Sequence, residues 1–304
     1  MKLRLTIVAL VSLLWGSEWI FHETLVDIPP FRLLTLRCLV AALALVPFFL
    51  RGRESFPHLP VARNLLLGMV VIALPALFLA NRTDLSPGLV VVYFAMIPII
   101  TSVLGDGGGL SNTPLLLSGL AGTAFLVRGA LSFSLAQTTS VLGLVLVVVA
   151  ISAALVRAKR WLRGTPLPGS VMVQMLAAAV IFGGYSLMRE GISGARWTVA
   201  EIVAVLCLGI FSGGIGYCGF YFVLRNAKAS QATVVQWLIP VVGIAETATW
   251  LRHLPTWDSM LGGAVGVVSA GLFLRAPVND DKPLTLQITN SSDSENVYLP
   301  PGSP

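Results

Sequence analysis

Ten apolar segments, each close to the length that crosses a bilayer, recur along this chain with only short polar turns between them. A helix needs about 20 mostly apolar residues to cover a hydrocarbon core about 30 Å thick. Within that core only helices and closed barrels pair every backbone N–H and C=O. Numbered one to ten, the segments run 5–21, 33–50, 64–80, 88–104, 115–127, 137–156, 172–188, 199–222, 232–251 and 260–274. The fifth is the shortest. The pattern predicts an all-α membrane protein of ten transmembrane helices.

Composition supports this reading. Hydrophobic residues make up 56% of the chain and charged residues 11%, against about 25% charged in soluble domains. So little polar surface cannot cover a water-soluble globule of this length. The net charge of +6 does not point to nucleic acid, because the basic residues gather in alternate turns rather than on one face. Arg51, Arg53, Arg63, Arg157, Lys159, Arg160, Arg163, Arg225 and Lys228, with Lys2, Arg4, Arg275 and Lys282 towards the ends, give thirteen on one side. Arg32, Arg82, Arg128, Arg189, Arg196 and Arg252 give six on the other, and Arg37 stands inside segment two. Positive charge stays on the cytoplasmic side. The chain is therefore expected to be multi-pass in the inner (plasma) membrane, with both termini cytoplasmic.

Lys2 and Arg4 before an apolar run resemble a signal peptide, but Trp15-Gly16-Ser17-Glu18-Trp19 stands where a small-residue cleavage site would be. Segment one is read as retained. Cys38, Cys207 and Cys218 lie within apolar segments as packing thiols, with no disulfide or zinc spacing. Residues 277–304 turn polar and rich in Ser, Asn, Asp and Pro, and are expected to be disordered. Within them 294–299 resembles a protease-site remnant.

The rest divides into two copies, 1–133 and 134–276. Tyr93-Phe94-Ala95-Met96-Ile97-Pro98-Ile99-Ile100 matches Val235-Gln236-Trp237-Leu238-Ile239-Pro240-Val241-Val242 at an offset of 142. Ser118-Gly119-Leu120-Ala121-Gly122 matches Gly262-Gly263-Ala264-Val265-Gly266 at 144, and Leu67-Gly68 matches Leu208-Gly209 at 141. Three matches in order at nearly one offset imply a five-segment repeat. An odd number of spans turns the second copy upside down, an architecture of secondary transporters whose substrate site lies between the halves.

Trp15-Gly16-Ser17, Arg37, Pro98, Pro240 and the glycine-rich fifth and tenth segments together resemble the drug/metabolite transporter superfamily, and within it the ten-helix EamA-type exporters. The resemblance covers about residues 1–276. It implies two inverted five-helix repeats and export of amino acids or other small metabolites, with the aromatic amino acid exporters as neighbours. The chain departs from the family pattern in one turn, reading Leu251-Arg252-His253 where an acidic residue is usual, and in Glu18, where a neutral polar residue is common.

Intramembrane acids are costly, so they face a bundle interior or a water-filled cavity. Glu18 and Glu246 are candidates for proton or cation recognition, or else interfacial acids paired with Arg37 or Arg252. Arg37 either snorkels to the interface or pairs with Glu18 at the outer end of a central cavity. Glu201, at the edge of a segment, reads as solvated. Pro98 and Pro240 are expected to kink their helices, since each lacks the N–H of a helical bond. Such kinks serve either a substrate site or packing alone. Trp15, Tyr93, Tyr217 and Trp237 fall mid-segment, where they are read either as core or as the wall of a cavity taking flat or cationic solutes.

With Gln236 these complete the expected substrate-binding set of Trp15, Glu18, Tyr93, Tyr217, Gln236, Trp237 and Glu246. The glycines from 262 to 266 read as close-packing positions. Gly213, Gly214, Gly216 and Gly219 are denser than packing requires and mark a helix that moves.

Enzymatic chemistry finds little support. His22, His58 and His253 show no metal-ligand spacing, and Asp106-Gly107-Gly108-Gly109 lacks the Lys and Ser of a phosphate loop. No cofactor is expected. The expected partners are a small-molecule substrate (an amino acid or metabolite, aromatic or cationic) and the lipid bilayer, with the chain a monomer or weak homodimer. Two other classes compete with the carrier. An intramembrane enzyme would need paired catalytic groups, and a scaffold subunit would have no use for buried acids and kinks.

Overall fold

Apolar side chains leave the backbone of each segment no polar partner but itself, and each segment folds as helix. The computed structural model describes residues 2–18, 20–21, 25–52, 60–105, 112–191, 197–250 and 255–276, with Trp250 known by its backbone alone. Trp19, His22, Arg53, His58, 106–111, Arg196, Leu251, Arg252, His253 and the tail from 277 lie outside the described residues.

Among the described residues eight helices are long and apolar enough to cross a membrane. They are Pro30–Arg51, Val61–Ala80, Pro87–Gly105, Leu135–Trp161, Leu167–Arg189, Val199–Asn226, Ala229–Thr249 and Trp257–Arg275, corresponding to segments two to four and six to ten. Segment five is the shorter helix Thr113–Leu126, and segment one contributes Lys2–Gly16.

Helix ends are set locally. Gly191, at φ +69°, carries the chain off the end of segment seven and returns its N–H to the Ser186 carbonyl at 3.1 Å. The Glu190 carboxylate there accepts from the N–H groups of Phe31 and Arg32, at 2.8 and 3.0 Å, and so closes the start of segment two. Glu201 is not solvated as expected. It is 8% exposed and folds back to accept from Thr198 N and Oγ1 at 2.7 and 2.8 Å, capping segment eight.

The packing is reciprocal. Segment two lies along seven and five along ten. Segment one packs on nine and six on four; two packs on eight and seven on three. When five is added to or taken from every segment number, one–nine exchanges with six–four and two–eight with seven–three, while two–seven and five–ten map onto themselves.

Glycine makes the closest approaches. A Cβ on Gly122 would stand 2.8 Å from Gly266 N and 2.9 Å from Gly262 O. Segments five and ten therefore cross backbone to backbone. Most of the glycines in segment eight are likewise explained by packing rather than by motion. Gly209 and Gly213 sit against Val40 and Ala41 of segment two, and Gly216 and Gly219 against Trp15 and Val11 of segment one.

Two irregularities lie at matching places. Segments three and eight each widen into a π-helix, over Gly68–Ala73 and Leu208–Gly216. Both begin at the Leu-Gly pair shared by the two halves. Gly68 lies on the Gln174 backbone and Gly209 on the Arg37 carbonyl, so the wide turns sit where a neighbouring helix approaches most closely.

The prolines act less symmetrically. In segment four the helix stops at Phe94 and restarts at Ile97, one residue before Pro98. In segment nine the interruption falls at Val234, and Pro240 lies inside the continuous helix Val235–Trp250.

Candidate functional site

A cavity of about 770 Å³ lies between the halves, lined by residues of segments one to four and six to nine. Its walls are mostly apolar, with Val71, Pro75, Phe94, Ile151, Met175, Phe182 and Phe220 among them. This is the usual make-up of a small-molecule pocket, in which a few polar groups fix orientation. Those groups are Glu18, Arg37, Cys38, Tyr217 and Gln236, with the indole of Trp15 beside them.

Segment one delivers Glu18 and segment two delivers Arg37. The guanidinium grips the carboxylate through both terminal nitrogens, Nη1 to Oε2 at 2.8 Å and Nη2 to Oε1. Ser212, from the π-helix of segment eight, completes the group. Its hydroxyl accepts from Arg37 Nη2 at 2.8 Å and donates to Glu18 Oε1. The two side chains are 17% and 20% exposed, so the pair is largely withdrawn from solvent. Bidentate geometry with a third hydrogen-bonding partner makes such a burial tolerable.

Trp15 gives its indole N–H to the Ser212 carbonyl at 3.1 Å and rests against Tyr217 and Phe220, at 5.1 and 5.4 Å between ring centres. This aromatic stack forms one wall. Across the cavity, Pro98 and Pro240 have no N–H to give the carbonyls of Phe94 and Gln236, four residues earlier. Both Phe94 and Gln236 line the cavity. Among the described residues, the Gln236 amide and the Tyr217 hydroxyl make no hydrogen bond within the protein.

The expected residues thus divide. Trp15, Glu18, Tyr217, Gln236 and Pro240 come together at the cavity, while Tyr93, Pro98, Trp237 and Glu246 do not line it. Trp237 is wholly buried. Its indole N–H donates to the Ala95 carbonyl at 2.9 Å, and its ring lies over Gly119 and near Phe273. It is a core residue in a place where a cavity wall was expected, and Phe94 lines the cavity in place of its neighbour Tyr93.

Glu246 lies apart from the cavity. Its Oε1 accepts from the Ser17 hydroxyl of segment one at 2.5 Å, and among the described residues its Oε2 is buried without a partner. The Ser17 hydroxyl also lies 2.6 Å from the Leu13 carbonyl.

Ser212, Phe94, Phe182 and Phe220 were missed from the sequence. Only Ser212 carries a signal there, as a polar residue set among glycines in an apolar run.

The ends of the segments nearest the basic-rich turns are bridged by buried polar contacts. Gln174 donates to Asn64 Oδ1 at 3.1 Å and accepts from Tyr221 at 2.7 Å, tying segments three, seven and eight. Thr101 meets Thr233 at 3.1 Å across segments four and nine.

The model of the EamA-like transporter family matches the chain twice, over residues 3–135 and 138–275. YoaV, an uncharacterized transporter of Bacillus subtilis (strain 168), is 25% identical over 287 residues, covering 90% of this chain and 96% of its own. YvbV, an uncharacterized transporter of the same organism, is 26% identical over 290 residues, covering 87% and 88%. Protein PagO of Salmonella typhimurium is 26% identical over 256 residues, covering 78% and 81%. A solved crystal structure superposes with a TM-score of 0.75 at 19% identity over 88% of this chain and 95% of that one, which shows the fold alone. With both copies of the family model accounting for almost all of the helical region, this chain is a membrane protein of the EamA-like transporter family.

Proposed function

We propose that this protein is a secondary carrier of the inner membrane that exports amino acids or other small metabolites by alternating access. In this reading the ten segments all span, as two inverted five-helix copies over 1–133 and 134–276. The reciprocal packing and the second match of the family model support the inversion. The observation that carries the proposal is the cavity of about 770 Å³ between the copies. It has the size of a small-metabolite site. In segments one to four its lining falls mostly in the halves nearest the basic-poor turns, and in segments six, eight and nine in the halves nearest the basic-rich turns, which puts it near mid-depth between the copies, where a carrier's site is expected.

The chain is proposed as a transporter rather than an enzyme. Glu246 is proposed to take part in coupling, because it ties segment nine to segment one through Ser17 and, among the described residues, leaves its Oε2 buried without a partner.

The test is counterflow in proteoliposomes. Vesicles loaded with one unlabelled amino acid are diluted into its labelled form, across a panel of neutral, cationic and anionic amino acids. Transient accumulation of at least one label above its equilibrium level is expected. A well-folded, reconstituted protein that exchanges no member of the panel would remove amino acids from the proposal.

A further inference from the structure

We infer that the Glu18–Arg37–Ser212 group is the charge filter of the central cavity, which therefore takes solutes of zero net charge and rejects both cations and anions. The inference rests on the carrier reading above and narrows its substrate class.

Glu18 and Arg37 are the only carboxylate and the only basic side chain among the described residues that line the cavity. They are spent on each other, through two guanidinium nitrogens and both carboxylate oxygens. Ser212 occupies a further position on each partner, so neither charge points freely at a visitor. A solute with one net charge would leave its hydration for mostly apolar walls and meet a site whose charges already cancel. An unpaired charge out of water is costly. To be matched, it would have to break the Glu18–Arg37 pair and strand the other member, which costs more than never forming the pair.

A solute of zero net charge escapes both costs. If uncharged, it leaves the pair intact. If zwitterionic, it offers a carboxylate to Arg37 and an ammonium to Glu18, and every charge stays matched. Polar recognition then falls to the Gln236 amide and the Tyr217 hydroxyl. Both line the cavity and make no hydrogen bond within the protein among the described residues. Neither carries a charge at neutral pH, in keeping with a neutral guest.

This removes the cationic solutes that the aromatic walls had favoured. Trp15 turns its N–H to the Ser212 carbonyl and its ring to Tyr217 and Phe220, so it offers stacking without a free counter-charge.

The experiment compares solutes of one shape and four charge states. Full-length protein in proteoliposomes exchanges labelled leucine. Unlabelled leucine, N-acetylleucinamide, leucinamide and N-acetylleucine compete as zwitterion, neutral solute, cation and anion. In the natural protein leucine and N-acetylleucinamide are expected to compete, and leucinamide and N-acetylleucine to be at least about tenfold weaker, or about 1.4 kcal/mol. Glu18→Gln leaves Arg37 without its carboxylate and is expected to move the preference to N-acetylleucine. Arg37→Gln is expected to move it to leucinamide. The double variant Glu18→Gln/Arg37→Gln carries no buried charge and is expected to favour N-acetylleucinamide over leucine.

The natural protein's ranking needs no variant. Equal competition by leucinamide and leucine would overturn the filter, as would single variants that weaken all four competitors without reordering them. If leucine is not exchanged, the counterflow panel decides. Exchange confined to lysine or glutamate would sink the filter while the carrier reading stands, whereas no exchange of any panel member would remove amino acids from the carrier reading and with them the zwitterionic guests of the filter.

Discussion

Gln236 and Trp237 are neighbours in segment nine whose side chains face opposite surroundings. Successive residues of a helix point about 100° apart, so one reaches the cavity and the other the core. Trp237 fills space over Gly119 and satisfies the Ala95 carbonyl in the gap before Pro98. Trp237→Ala is expected to destabilise the protein by about 3–5 kcal/mol, read as a lower melting temperature in detergent. Gln236→Ala, at a half-buried amide with no partner, is expected to change stability by no more than about 0.5 kcal/mol while weakening solute exchange. Trp257, 77% exposed at the start of its helix, sets the baseline, and Trp257→Ala should change neither. A melting temperature untouched by Trp237→Ala would remove this side chain from the core. The sequence showed both residues beside a proline in a repeated motif, but around them the helix is apolar on every side and offers no polar face to tell cavity from core. Glu18 and Arg37 were legible because charge inside a bilayer must find a partner.

Helix crossings are the level at which the repeated motifs had most to say. Gly122 and Gly266 occupy equivalent places in the two matched pentapeptides, and they meet at the crossing of segments five and ten. A Cβ on Gly262 would lie 2.4 Å from Leu126 N and 2.7 Å from Gly122 O, both backbone atoms that no rotamer change can move. Gly262→Leu is therefore expected to abolish the monodisperse folded species in size-exclusion chromatography. Gly266→Ala is expected to leave it, since its Cβ would come no nearer than 3.9 Å to Trp237 O. Equal tolerance of both changes would mean that the segments do not cross at these glycines. The π-helices were not legible in the same way. A widened turn leaves no periodicity signal when nearly every residue is apolar, and the Leu-Gly match marked its start without revealing its shape. Pro240 shows a related limit, since a proline predicts a lost bond and not where along the segment the helix is interrupted.

Orientation in the membrane is a property of the whole chain, set by which ends of the helices carry the basic residues. Arg157, Lys159 and Arg160 close the last turns of the helix Thr138–Trp161, where positive side chains also suit the C-terminal end of the helix dipole. Arg63, on segment three, lies 5.9 Å from the centre of the Trp161 ring, which brings two basic-rich turns together at one end. At the opposite end Arg82 stacks over Phe78 at 5.8 Å and Arg189 over Tyr185 at 5.7 Å, each a single cation anchored to an interfacial ring. The first end is the one bridged by Gln174 with Asn64 and Tyr221. If the basic-rich end is cytoplasmic, the Gln174 bridge lies on the cytoplasmic side. In a chain whose three cysteines are replaced by serine, Arg160→Cys is then expected to react with a membrane-impermeant maleimide only after the cells are permeabilised. Arg82→Cys should react in intact cells. A cysteine at 160 labelled from outside intact cells would reverse the orientation, and with it the assignment of the bridged end to the cytoplasm.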